Sequence, residues 1–458
     1  MAAAQHIVPI MSWLFDIVYV LAVVLGSPLW LARMIRYGKY RRDWKQRLGL
    51  IPRRWGLQPV LWVHGVSVGE VGAARSLVAQ LHAQLPDYQV VASSTTDTGL
   101  AAARRHFEPD HVVFRWPLDL SACVSVALGR LRPAAVILME GDVWPNFTAI
   151  CRRRGIPVVV VNGRIGPRKG YPRYRLIRPL AAWLFNSLEA IGVQHEAYAD
   201  LFRALGVRND RLHVTGMMKF DTAEVGSAVA GQEQLAAALG IVPADRLIVA
   251  GGTGAGEERL VLEAFSRLRR AGPWPNLKLA IVPRKPERFD EVARLIQASG
   301  FELVRRSRQG STASAVPPPE AVILGDTMGE LRKFYALARA AFVGRSLVPE
   351  GGSDMIEAAA LGKCVCFGPH TFNFPQAQSM VEAGAARRVE SPAELASVLA
   401  QWLQDPSGAD EMGRRAQQYV RSQQGATARN VALICRILGR EYSTDGGIAT
   451  DAIETHPA

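Results

Sequence analysis

The sequence specifies an α/β protein of two domains, each built on a parallel sheet with crossover helices. Three observations carry that expectation. Short β-rich apolar runs alternate with helical patterns through two successive series. Between the series, residues 222–245 turn Ala- and Gly-rich and lose the strand pattern. The 458 residues, 49% apolar and 21% charged, supply two or three cores at roughly 150 residues per domain.

The chain opens with an apolar run, IVPIMSWLFDIVYVLAVVL over 7–25, broken only by Pro9, Ser12 and Asp16. Its length suits a helix crossing a bilayer core. No Lys or Arg precedes it, whereas Arg33, Arg36, Lys39, Arg41, Arg42, Lys45 and Arg47 follow. That asymmetry places the rest of the chain in the cytoplasm and disfavours a cleaved signal peptide. Asp16 at mid-span costs about 2.5–3.5 kcal/mol, so a segment lying in the interface or against the protein is the alternative. Either way, the basic stretch with Trp30, Tyr37, Tyr40 and Trp44 suits an anionic headgroup layer.

The first series runs VLWVHGVSV, YQVVASST, HVVFRW, AAVILME, PVVVVNGRI, AIGVQ and RLHVTG, with EVGAARSLVAQLHAQL and GLAAARRHF as its first helical segments. The second runs DRLIVAGGT, LKLAIVPR, FELVRR, AVILGD, AAFVG and CVCFG. The expected divisions are residues 1–32 as membrane anchor, 33–221 and 222–441 as the two domains, and 442–458 as a disordered tail. STASAVPPPE (311–320) reads as a surface loop. Ligands of such sheets sit beyond the carboxyl ends of the strands, so chemistry is expected just after each strand, in a cleft between the domains.

Lys+Arg 54 against Asp+Glu 41 leaves a net charge of +13. That excess suits a nucleic acid, an acidic membrane surface or a phosphorylated substrate. The charge is densest beside the apolar run and no nucleic-acid-binding module appears, which disfavours nucleic acid. Five scattered cysteines make no disulfide framework. Cys364 and Cys366, inside CVCFG, read as buried strand thiols rather than half of a four-ligand zinc site.

Several strand ends carry candidate chemistry. In HGVSVGEV, Gly65 and Gly69 allow a tight approach and Glu70 opens a helix. Glu70 reads equally as a general base or as a first-turn carboxylate favoured by the helix dipole. In VILMEGDVWPN, Glu140 ends an apolar strand, where a carboxylate is desolvated unless something uses it; the bland alternative is that Glu140 or Asp142 caps the helix beginning at WPN. GMMKFD places Lys219 after a strand near the hinge. GGTGAGEER resembles a phosphate loop but lacks G-K-[ST] and the G-x-G-x-x-G register, although its Gly-rich turn can still host an anion. VPRKPERF sets Pro283 and Arg284 after a strand. GDTMGELRKFY and GRSLVPEGGSDMIEAAALGK follow, the latter with Glu357 in a first helical turn, where a carboxylate commonly holds a ribose diol.

GVSVGE, MEGDVWPN, GMMKFD, VPRKPERF, DTMGE and SLVPEGG…E…ALGK…FGPHTFNF occur in the order seen in the Kdo transferases, and the chain resembles that family from the apolar run to about residue 425. These enzymes add 3-deoxy-D-manno-octulosonic acid (Kdo) to lipid A precursors. The resemblance implies a GT-B fold, with two Rossmann-like domains facing a cleft behind an N-terminal membrane-anchor helix. It implies CMP-Kdo as donor, an acylated disaccharide phosphate (the lipid A precursor) as acceptor, and a place on the cytoplasmic face of the cell inner membrane. By position, Glu70 matches the family's catalytic base, and Glu140 and Lys219 its transition-state stabilisers. Pro283, Arg284, Met328, Gly329, Glu330, Asp354, Met355, Ile356 and Glu357 match its CMP-binding positions.

The chain departs from the family where GGHNPLEPAALGKP is common: GGSDMIEAAALGKC carries Ser353, Asp354, Met355 and Ala358 in place of His, Asn, Pro and Pro. No D-x-D pair occurs, so the metal–diphosphate clamp of one class of glycosyltransferases is missing. Neither a metal nor another cofactor is expected; helix N-termini and basic side chains then stabilise the leaving group. The rival readings are a GT-B transferase or epimerase for another nucleotide sugar, and an inactive membrane-bound nucleotide-sugar-binding homologue.

Overall fold

All seven runs of the first series become strands: β1 (Val60–His64), β2 (Gln89–Ser94), β3 (Val112–Arg115), β4 (Pro133–Met139), β5 (Val158–Gly163), β6 (Ala190–Val193) and β7 (Leu212–Val214). The computed structural model describes residues 15–28, 34–36, 42–168, 170–272, 274, 276–310 and 321–443. The remainder of the expected anchor, the 311–320 loop and residues 444–458 of the expected tail lie outside the described residues. The seven strands are parallel, in the order β3-β2-β1-β4-β5-β6-β7, so the order reverses between β1 and β4.

Side chains alternate across this sheet, as the two-residue period of a strand demands. Trp62, Val91, Phe114, Val136, Leu138 and Val160 enter one buried cluster. Leu61, Val63, Val90, Ala92, Ile137 and Val159 enter another. Both faces being covered, the strands read as unbroken apolar runs.

The second series gives β8 (Arg246–Thr253), β9 (Leu277–Pro283), β10 (Leu303–Arg305), β11 (Val322–Leu324), β12 (Ala340–Val343) and β13 (Cys364–Phe367). A seventh strand, β14 (Arg387–Arg388), escapes the pattern because both its residues are exposed arginines at the sheet edge. The order is β10-β11-β9-β8-β12-β13-β14, all parallel, with its reversal between β8 and β12. Cys364 and Cys366 are buried thiols in β13, as the sequence suggests.

The chain divides into one unit of Met1–Thr222 with Gln424–Ala458, and a second of Ala223–Gln423. The first boundary falls where the pattern broke, but the expected 222–441 domain ends too late. The helix Ala426–Ile437 belongs to the first unit: Ala426, Val431, Leu433, Ile434 and Cys435 are buried in its core. Asp221 fixes the return, accepting N–H bonds from Gly425 (2.7 Å) and Thr427 (2.5 Å). Arg429 Nε donates to the Thr215 carbonyl (2.8 Å).

At the N-terminus a helix covers 15–28. No described helix is long and apolar enough to cross a membrane. Asp16 is bonded to the first unit. It accepts from Ser121 N–H (2.8 Å), the Ser121 hydroxyl and Asn146 Nδ2 (2.9 Å). Phe15 lies against Trp183 and Tyr19 against Trp144. Ile17, Val18, Val20, Leu21, Val24 and Leu25 are left exposed.

The capping role of Asp221 makes a measurable statement. Asp221→Ala is expected to cost about 1–2 kcal/mol, as loss of a capping carboxylate does, and to accelerate hydrogen exchange in 426–437 ahead of the strands. Unchanged exchange in that helix would show that apolar packing alone holds it.

Candidate active site

In the first unit, the candidate carboxylates sit on either side of the strand reversal. β1 ends at His64, and Ser67 caps the helix Val68–Gln84 by accepting the Glu70 N–H (3.3 Å). Glu70 answers: Oε1 accepts from the Ser67 hydroxyl (2.9 Å) and Oε2 from Val66 N–H (2.9 Å). This reciprocal Ser-x-x-Glu cap satisfies first-turn donors, so the dipole reading of Glu70 is correct as far as it goes. It also holds the carboxylate in one place at a strand end.

Glu140 is the first residue after β4 and adopts φ 61°, a left-handed conformation unusual for a residue with a Cβ. Strain of this kind is held only where the surroundings fix it. Here the Glu140 N–H donates to the Val161 carbonyl (2.9 Å), its own carbonyl accepts from Arg164 N–H (3.0 Å), and Oε2 accepts from Arg164 Nε (2.7 Å). Asp142, two residues on, accepts from Trp144 Nε1 (2.8 Å). Neither Glu140 nor Asp142 caps the following helix, Pro145–Arg153. Asp119 does, taking the N–H groups of Asn146 (3.0 Å) and Phe147 (2.8 Å).

The neighbouring carboxylates act on Glu70. Burial raises the Glu70 pKa above its ordinary value, the negative charges of Glu140 and Asp142 add to that, and the Val66 N–H and Ser67 hydroxyl pull the other way. Burial likewise raises Asp142. His64, stacked on Trp116, is pushed down to about 3 by burial and is neutral. Its Nε2, 4.0 Å from Asp142 Oδ2, therefore forms no ion pair. Lys219 is exposed in the turn Met218–Phe220. That turn is tied to the end of β5 by the Met218 N–H bond to Asn162 Oδ1 (3.1 Å), Asn162 being left-handed at φ 54°. Asp142 is read from the sequence only as a candidate helix cap, and Arg164 and Asn162 escape because no motif marks them, although a polar residue directly after a strand is a usable signal.

In the second unit the phosphate-loop expectation meets a correction. Glu257, fully buried, turns back beneath the Gly-rich turn and accepts from Gly254 N–H (3.1 Å), Arg345 N–H, Ser346 N–H (2.9 Å) and Leu347 N–H (2.9 Å). The Ala255 N–H is directed at Glu350 Oε1 (3.3 Å). The amides of Gly254 and Ala255 thus serve the protein's own carboxylates rather than an external anion. Arg345, left-handed at φ 59°, pairs with Glu350 (2.9 Å).

Around this reversal stand the predicted nucleotide positions. Pro283 ends β9, and Arg284 exposes its side chain while its N–H bonds the Thr253 carbonyl (3.1 Å). Met328 is exposed and Gly329 is left-handed. Burial opposes the charge of Glu330, but bonds from Thr327 and Arg306 and the Lys333 charge outweigh it and lower its pKa. Ser353 donates to the Gly252 carbonyl (2.7 Å), and Asp354 Oδ1 accepts the Ile356 N–H (3.1 Å). Met355 and Ile356 are buried, so only their backbone can meet a ligand; Glu357 is half-buried. Among the described residues, no group of three His, Cys, Asp or Glu side chains is placed to hold a metal ion.

Residues 42–222 match the family described as 3-deoxy-D-manno-octulosonic-acid transferase. The chain is 34% identical over 452 residues to the 3-deoxy-D-manno-octulosonic acid transferase of Bordetella pertussis, covering 90% of this chain and 97% of that one. It is 30% identical over 410 residues to the Haemophilus influenzae enzyme of the same name, covering 89% and 94%. The chain belongs to the Kdo transferase family. It is therefore a glycosyltransferase. Among solved structures, a glycosyltransferase from Rickettsia africae superposes with TM-score 0.59 at 12% identity, over 84% of this chain and 99% of that one. A UDP-GlcNAc 2-epimerase from Neisseria meningitidis does so with TM-score 0.55 at 16% identity, over 83% and 99%. The shared fold hosts both chemistries, so it is sequence kinship that makes this Kdo transferase family member a transferase.

The electrostatics give a pH test. With Glu70 as base, activity falls as pH drops through its pKa, and the acid limb of kcat/KM is expected above the ordinary value of 4.5. Glu140→Gln removes a like charge, lowers the Glu70 pKa and moves that limb to lower pH. A limb unmoved or shifted upward in this variant would uncouple the two carboxylates.

Proposed function

We propose that this protein transfers Kdo from CMP-Kdo to a lipid A precursor, without a metal ion, in lipopolysaccharide biosynthesis. The observation that carries the reading is the position of Glu70: held by its own capping box at the first reversal, with its proton affinity raised, in a chain of this family. Glu70 takes the proton of the acceptor hydroxyl as that oxygen forms its bond to the anomeric carbon of Kdo. The bond to the CMP phosphate oxygen breaks, its electron pair leaving with CMP. Glu140 and Lys219 stabilise the charge that develops on the way.

Donor contacts fall to Pro283, the cationic Arg284, Met328, Gly329, Glu330, Asp354, the backbone of Met355 and Ile356, and Glu357. The exposed apolar side of helix 15–28, with the basic stretch that follows it, attaches the protein to the anionic cytoplasmic face of the inner membrane, where the acceptor resides.

Glu70→Ala is expected to lower transfer by about 10²–10⁴ while leaving CMP binding intact. Product is read by mass spectrometry of the lipid with chelator present, and activity above a tenth of wild type would remove Glu70 from the role of base. Removing residues 1–30 should leave partial membrane binding through the basic stretch, stripped by high salt because exposed charges are screened. Salt-resistant binding of the truncated protein would put the membrane contact elsewhere.

A further inference from the structure

We propose that a groove at the carboxyl end of β3 binds a phosphomonoester carried by the sugar acceptor. The inference rests on the acceptor reading above and assigns residues to it. The cavity holds about 260 Å³ and is lined by Arg42, Asp43, Asp97, Leu100, Arg104 and Arg115. Arg115, the last residue of β3, is 2% exposed. Its guanidinium is fixed by Asp43 Oδ2 (3.1 Å), the Thr95 carbonyl (2.9 Å) and Asp97. Asp43 holds its place in the left-handed conformation, φ 61°. Asp97, Leu100 and Arg104 line up on one side of the helix Asp97–Phe107 at i, i+3 and i+7.

Charge selects the ligand. Both aspartates are committed to Arg115, while the guanidiniums of Arg42 and Arg104 are exposed and pair with no carboxylate among the described residues. Three arginines against two aspartates leave the groove positive. Planar guanidinium forks suit a phosphate, which offers several charged oxygens to more than one of them. Position selects the acceptor over a bulk headgroup. β3, β2 and β1 are consecutive neighbours, so the end of β3 lies two strand spacings, about 10 Å, from the end of β1 that leads to Glu70. One or two pyranose rings cover that span. Because Arg115 is built into the sheet, the groove keeps a fixed register with the base, which a headgroup site has no need to do.

The test uses full-length protein with the lipid A precursor in its phosphorylated and phosphatase-treated forms. Arg104→Gln, which lies outside the basic stretch assigned to the membrane, is expected to raise KM for the phosphorylated acceptor about tenfold or more, the worth of a charge-assisted bond. KM for the dephosphorylated acceptor and kcat for both should stay as in wild type. Equal loss on both acceptors, or an unchanged ratio between them, overturns the assignment. Cosedimentation with phosphatidylglycerol vesicles should not change; a fall matching the rise in KM would make the groove a headgroup site and overturn it equally. Should wild-type protein transfer no Kdo, the functional reading fails. The groove is then judged by titration calorimetry of the two acceptor forms without donor, where equal affinity for both overturns it.

Discussion

Where the strand order of a parallel sheet reverses, the loops leaving two neighbouring strands part in opposite directions, and their N–H groups face a crevice without ladder partners. In the second unit a single carboxylate, Glu257, meets four of these donors from the turns after β8 and β12. Burying that carboxylate raises its pKa, and the four N–H bonds counter the cost. The segment that follows is registered on it: left-handed Arg345, its Glu350 partner, Ser353 bonded to Gly252, then the turn bearing Asp354 and Glu357. The first unit uses its reversal differently. There Glu70 satisfies its own loop, Glu140 is turned by strain, and the negative charge of Glu140 adds to the rise in the Glu70 pKa.

A second set of carboxylates ties the N-terminal helix to the first unit. Asp119 caps Pro145–Arg153, and burial pushes its pKa up to about 7, with Asp16 and Asp142 adding to the rise against its two N–H bonds. Asp16, the residue least suited to a bilayer core, bonds the start of the helix Ser121–Leu131 and Asn146 of the helix that Asp119 caps. Its charge is thereby explained by protein contacts, and the apolar residues beyond it stay on the outside.

The architecture was legible because parallel strands buried on both faces leave uninterrupted apolar runs; thirteen of the fourteen strands among the described residues fall in runs read from the sequence, including the half-buried edge strands β7 and β10. β14 does not, since two exposed arginines held at an edge have no apolar signature. The end of the second unit was misread for a related reason. Residues 426–437 are amphipathic, and only long-range contacts, the bonds to Asp221 and the burial of Val431 and Ile434 among first-unit side chains, assign them to the first unit. At the candidate site, Ser67 and Glu70 are three residues apart and announce their own cap. Asp119 caps a helix that starts 26 residues later, and Glu257 spans nearly 90 residues to Ser346; neither pairing is local enough to read from a string. Met355 and Ile356 show the converse, positions named by kinship whose side chains turn out to belong to the core.

The return of the chain to its first unit also has a consequence for biogenesis. A ribosome releases Met1–Thr222 long before Ala426–Ile437, so that unit emerges without the apolar side chains that complete one of its clusters. The buried positions on Val68–Gln84 that face the missing helix stay uncovered while some 200 further residues are made. The strand that leads to the proposed base can pair early, but the surroundings of that base are finished only once Ala426–Ile437 has been made. A product lacking that helix therefore exposes a sticky surface and is a natural substrate for chaperones and proteases, which makes arrival of the helix a checkpoint on the enzyme itself.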